Sequence, residues 1–299
     1  MSIINNASPG SQIRLLCLVD RFLIRSRKQT ISRQDLIETC RPENLPQTEG
    51  ARKRFVDNLN FWLVEGLWEE GAEGIVCRDL TTSEQDLPVR VLNLCIKQCA
   101  EQSILKGNRI EPFLRTITVL LAQDQLTFQG QQRGAQGLDT PGKIAEAVNS
   151  RLPSDLSINE SNEANWLKDW GIFLGFLEPF AGGVITDPTQ AIEPFLAEIF
   201  DYKNRALPVR DFITALAEHL PMLDGGSYRQ VMEPLLEEGG WQRPLGNRVS
   251  ASLSHAILRL EKGLQLILEQ PSDDSRSMIL RTTEGKERSV GTVRYRENV

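Results

Sequence analysis

Three times along this chain, apolar stripes at helical spacing are followed by a short strand-like or glycine-bounded stretch, and that recurrence restricts the fold more than any single motif does. In the first set, Ile13, Leu15, Leu16, Val19, Phe22 and Leu23 repeat at three- and four-residue steps and end in Arg25-Ser26-Arg27-Lys28, cations suited to a helix C-terminus. Ser32 is placed to cap a second, short helix over Arg33 to Cys40 that turns Leu36 and Ile37 inward. After Pro42 and Pro46, Thr48 can cap a third helix carrying Phe55, Leu59, Trp62 and Leu63, which Gly66 closes. Leu67 to Cys77 then reads as two short strands around a glycine-containing turn.

The order returns with different residues. The second set predicts helices over Pro112 to Ala122, Pro141 to Leu152 (Ile144, Ala145 and Val148 inward) and Ser161 to Leu177, then one short strand, Gly182 to Ile185, so its wing is reduced or absent. The third predicts helices over Pro208 to Leu220, Ser227 to Leu236 and Ser250 to Lys262, the last ended by Gly263. Two strands, Leu264 to Gln270 and Arg276 to Thr282, face each other across the polar turn Pro271 to Ser275, the clearest wing of the three. The expected fold is mainly α with small β-hairpins, an α+β class, in tandem winged-helix-like units. These are a first unit at 1–83, a connecting helix at 84–109, a second, wing-reduced unit at 110–206 and a third at 207–299 with a basic C-terminal tail. Residues 129 to 139 form a polar, glycine-rich loop expected to be the most flexible or proteolysed stretch.

Charge decides where a polyanion could be met. The whole chain carries −6, so contact with nucleic acid must come from local patches. Residues 14 to 54 hold ten basic against five acidic side chains. With Phe55 inward, the third helix turns Lys53, Arg54, Asp57, Asn60 and Phe61 outward. Arg and Asn on such a face can read base edges and Lys can hold phosphate. Arg52, Lys53 and Arg54 sit near a helix N-terminus, where cations oppose the macrodipole and serve an anionic partner better than the helix. A solvated charged face is the plain alternative, and Glu69, Glu70 and Glu73 make this wing too acidic to enter a groove.

Residues 241 to 299 hold ten basic, among them Arg243 and Arg248, against seven acidic side chains. Here the last long helix is expected to present Ser252, His255, Arg259 and Lys262, with Arg276 and Arg281 on the wing beside it. Residues 81 to 206 have eleven basic against sixteen acidic residues, and Trp166 to Leu177 is apolar around most of its circumference, which points to a helix buried between neighbours and to a scaffold or protein-binding role.

Catalytic patterns are weak. No phosphate loop, dinucleotide-binding glycine motif or C-x-x-C pair occurs, and His219 and His255 have no partner at metal-ligand spacing, so no catalytic residue, metal or cofactor is expected. Asp273 or Asp274 followed by Glu284-Gly285-Lys286 loosely follows the D…E-x-K pattern of Mg-dependent nucleases, but the glycine reads as a turn. The five cysteines, an odd number of which four sit in apolar patterns, suit a reducing cytoplasm, and neither a signal peptide nor a membrane span is predicted.

The tandem layout, the opening MSIINNASPG, the segment Trp166 to Thr189 (WLKDWGIFLGFLEPFAGGVITDPT) and the closing wing together resemble the DpdG family. This is the G component of bacterial clusters that insert 7-deazaguanine derivatives into DNA and restrict DNA lacking them. The resemblance covers most of the chain and implies an antiviral modification and restriction system with partner ATPases, helicases and nucleases. It carries over no catalytic residue. The expected function is a non-catalytic subunit that binds double-stranded DNA or acts as an adaptor in the cytoplasm. A structural tandem winged-helix subunit of an ATPase complex is the first alternative, and a divergent Mg-dependent nuclease the second.

Overall fold

The computed structural model describes residues 2–26, 30–41, 48–77, 83–100, 105, 109–128, 137–200, 205–270, 277–282 and 284–296. It is helix-rich with small antiparallel hairpins and divides into two compact units, Met1–Pro112 and Phe113–Val299. Among the described residues no helix is long and apolar enough to cross a membrane.

In the first unit the stripe of α1 (Ile13–Arg25) buries Leu16, Val19 and Leu23, as its spacing requires. Ser32 caps α2 (Arg33–Cys40) by accepting a hydrogen bond from the Asp35 amide at 3.0 Å. In α3 (Glu49–Val64), Phe55, Leu59 and Trp62 are buried, and Gly66, at φ +84°, ends the helix with the Leu67 amide donating to the Trp62 carbonyl at 3.0 Å. Strands β1 (Glu69–Gly71) and β2 (Gly74–Val76) pair antiparallel, and Ile31 adds a bridge to Ile75. Gly74 holds φ +133°, and a Cβ there would lie 2.3 Å from the Ile31 carbonyl oxygen, so glycine is required twice over.

Helix α4 (Leu87–Ala100), expected as a connector, is tied to α1. The buried Asp20 accepts from Arg90 at 2.6 Å and from the Trp68 indole at 3.0 Å. The opening residues also pack. Ile3 and Ile4 are fully buried, the Ile3 amide reaches the Arg109 carbonyl at 2.8 Å, and a 3-10 turn at Pro9–Ser11 sets Gly10 against the Phe61 ring. Phe61, expected on the outward face of α3, is therefore 7% exposed, because the N-terminal segment covers that face.

In the second unit α5 (Glu111–Ala122) is buried almost along its whole length. It, rather than the apolar third helix of its set, is the one enclosed on nearly all sides. Thr140 caps α6 (Pro141–Asn149), whose Ile144, Ala145 and Val148 face inward as predicted. The next helix opens with a π-type turn at Glu160–Ala164 and continues as α7 (Asn165–Phe173), where Trp166, Ile172 and Phe173 stay only half-buried. Gly175, at φ +80°, stops it short of the predicted end at Leu177, which instead opens strand β3 (Leu177–Phe180). It pairs over four residues with β4 (Gly183–Thr186) across Ala181 and Gly182, both with positive φ. This set therefore carries a complete hairpin, not a reduced one. Short helices α8 (Thr189–Ile192) and α9 (Leu196–Ile199) follow.

Strand β5 (Ala206–Pro208) leads into α10 (Val209–His219), α11 (Ser227–Glu238) and α12 (Ala251–Lys262), the last capped by Ser250 and ended by Gly263, close to the predicted bounds. Beyond it, β6 (Leu266–Glu269) and β7 (Met278–Arg281) do not pair with each other as expected. Instead β7 pairs with β8 (Glu287–Val290), while β6 pairs with β9 (Thr292–Tyr295), which β5 flanks on its other side. The stretch expected as a basic tail supplies both partner strands, because Val290 and Val293 are fully buried and anchor it. The turn Pro271 to Ser275 and most of the 129–139 loop lie outside the described residues.

Candidate nucleic-acid interface

The cations singled out by the sequence fall into two very different environments. On the first turns of α3, Arg52, Lys53 and Arg54 are all exposed, and among the described residues no carboxylate is paired with any of them. Three adjacent cations at the positive end of a helix dipole make a local field favourable to phosphate. Asn60, one face further along, is exposed but engaged. Its side-chain oxygen accepts from Arg33 Nη1 at 2.6 Å, and Arg33 Nε donates to Glu70 Oε1 at 2.8 Å. The guanidinium beside Glu70 holds that carboxyl below the usual carboxylate range, and Glu70 in turn holds Arg33 above its ordinary value. The bidentate Arg33–Glu70 pair fastens α2 to the acidic hairpin, while the third guanidinium nitrogen occupies the Asn60 side-chain oxygen.

On α12 the helical wheel misplaces two residues. Ser252 is 1% exposed and donates to the Leu121 carbonyl at 2.7 Å, while the His255 side chain is 11% exposed, under the Phe128 ring. A wheel assigns one inward face, whereas α12 has neighbours on several sides. His255 Nε2 lies 3.3 Å from Asp187 Oδ2, and Arg259 is bound to both Asp187 and Glu178. The other Asp187 oxygen accepts from the Thr189 amide at 3.0 Å. Asp187 is thus a buried hub that draws the α12 histidine and arginine toward the chain just after β4. Lys262 alone of the four is exposed; the Lys286 hydrogen bond holds the Glu284 carboxylate below the usual range, and the Lys262 charge adds to that.

Arg281 donates to Asp124 at 2.8 Å, and Arg276 lies outside the described residues. Arg281 also lines a cleft with Arg243 and Arg248, two residues the charge count includes but the helical pattern could not place, since both sit in the loop between α11 and α12.

The side chains with catalytic precedent are scattered. Glu284 and Lys286 form a 2.8 Å ion pair in the exposed turn between β7 and β8, with Gly285 at φ +75° between them, while Asp273 and Asp274 lie outside the described residues. His219 stacks near Phe195 with Glu198 at 3.7 Å. Burial pushes the Cys17 thiol up and that of Cys40 to about 11, which leaves both protonated at neutral pH. Among the described residues no group of three or more His, Cys, Asp or Glu side chains is arranged to hold a metal ion.

In comparison with known families, a DpdG-like family model aligns with residues 1–274 of the 299. No curated protein and no solved structure matches the chain.

Proposed function

Because the chain belongs to the DpdG-like family, we propose that it is a non-catalytic DNA-binding or adaptor subunit of a bacterial antiviral DNA modification and restriction system. The family membership supports a role in defence and modification. The finer reading is a cytoplasmic protein of tandem winged-helix-like units that works on double-stranded DNA beside ATPase, helicase or nuclease subunits. What supports the DNA contact is the exposed triplet Arg52-Lys53-Arg54 on α3, paired with no carboxylate among the described residues, on a helix that follows two shorter helices and precedes a hairpin, the chain order of a winged helix. Phosphate binding releases counterions, so duplex affinity should fall steeply with salt. Replacing all three cations with alanine should flatten that dependence by about 2–3 in logarithmic slope. Salt-independent binding, or an unchanged slope in the triple variant, would refute the contact.

A second reading, a purely structural protein-interaction subunit, draws support from the neutralisation of one candidate phosphate-binding cation on α12. Arg259 is bound to Asp187 and Glu178, and the net charge of the chain is −6. Under that reading the triple variant would keep its partners and no duplex would be retained by the wild-type chain.

A further inference from the structure

The loop between α11 and α12 and the end of β7 bring three arginines from two stretches of chain to one open cleft of about 290 Å³ in the second unit. Backbone pairing fixes two of them. The Val249 amide donates to the Ile279 carbonyl at 3.0 Å and the Ile279 amide to the Asn247 carbonyl at 2.9 Å, a short parallel bridge that sets Arg248 alongside β7, where Arg281 is the last residue. Arg243 is held by Glu233 at 3.0 Å and Glu237 at 3.1 Å, neither of which lines the cleft. Arg248 gives its Nε to Glu287 at 2.9 Å and Arg281 one terminal nitrogen to Asp124 at 2.8 Å.

A guanidinium has five N–H donors, so these bonds leave most of the Arg248 and Arg281 fork unused among the described residues. Their side chains are 44% and 41% exposed, open to a ligand without unpacking. Arg243 is spent on Glu233 and Glu237, and Arg248 and Arg281 each meet one lining carboxylate, so what the cleft offers an anion is the unused N–H donors of those two guanidinium groups rather than a surplus of charge. The remaining wall is apolar, formed by Pro244, Val249, Ile279 and Leu245, the last 74% exposed. A guanidinium fork matches phosphate oxygens, and the exposed Leu245 side chain beside Pro244 offers apolar surface that the face of a base can cover. The volume lies at the small end of ligand sites, the scale of one nucleotide rather than a duplex.

We propose that this cleft binds a single nucleotide unit, with its phosphate on Arg248 and Arg281 and its base against Pro244 and Leu245. The inference does not depend on the α3 triplet, so either site can fail without the other.

The test is calorimetric titration of the full chain with deoxyadenosine monophosphate, with deoxyadenosine, and with a short single-stranded oligonucleotide. The monophosphate should bind and the nucleoside should not. Arg248→Ala should weaken binding about tenfold, whereas Glu287→Gln, which removes the competing carboxylate, should strengthen it, a gain that misfolding cannot imitate. The Arg52, Lys53 and Arg54 triple variant should bind the monophosphate like wild type. Competition by the oligonucleotide would identify DNA as the source of the nucleotide, and its absence would identify a free nucleotide; both support the cleft. No binding of the monophosphate, or equal affinity in wild type, Arg248→Ala and Glu287→Gln, would overturn it.

Discussion

Replacing Asp187 with alanine removes a carboxylate that is 3% exposed and serves three partners at once. One oxygen accepts from the Thr189 amide at 3.0 Å and its hydroxyl at 2.5 Å, and the other faces His255 at 3.3 Å and binds Arg259. Breaking a buried ion pair costs about 3–5 kcal/mol. Arg259, however, is 37% exposed and keeps Glu178, so the ionic part should fall to about 2 kcal/mol. The lost Thr189 bonds add about 1 kcal/mol. A total of about 3 kcal/mol lowers the melting temperature of a unit this size by about 6–12 °C. Asp187→Asn, which preserves an acceptor for Thr189 but not the charge, should cost about half as much. Urea unfolding followed by tryptophan fluorescence reads the shift in midpoint, and a cycle with Arg259→Met isolates the ionic coupling. A loss below about 1 kcal/mol with no coupling to Arg259 would refute the hub, and it would return Arg259 to the cations available for phosphate.

Gly74→Ala should destabilise the first unit by about 2–4 kcal/mol, since the added methyl meets the Ile31 carbonyl and φ +133° is strained for alanine; the thermal midpoint of the variant checks it. Cys40, with its thiol at about 11, should react with iodoacetamide slowly at pH 7 and faster only as pH approaches that value; rapid alkylation near neutrality, followed by mass spectrometry, would contradict its half-buried environment.

Local pattern carried the helices. The stripes of α1, α3, α10 and α12, the Ser32 and Ser250 caps and the closing glycines Gly66 and Gly263 all follow from interactions within one or two turns, which sequence spacing encodes directly. The first hairpin was legible for the same reason, since its strands lie on either side of one short turn.

What the tertiary structure alone decided depends on residues far apart in the chain. Strand pairing is one such choice. Leu177–Phe180 became a strand because Gly175 breaks the helix and β4 offers a ladder, and the terminal stretch became β8 and β9 because β7 and β6 needed partners. The candidate interface shows the same division. A helical wheel ranks residues around one axis but cannot count how many neighbours the helix has, so it left Phe61, Ser252 and His255 facing water that the fold replaces with the N-terminal segment, the Leu121 carbonyl and the Phe128 ring. The sequence by itself determined which residues are cations. Only the fold decided that Asp187 and Glu178 hold Arg259, while Arg52, Lys53 and Arg54 face solvent, because an ion pair is a meeting in space of groups 72 and 81 residues apart.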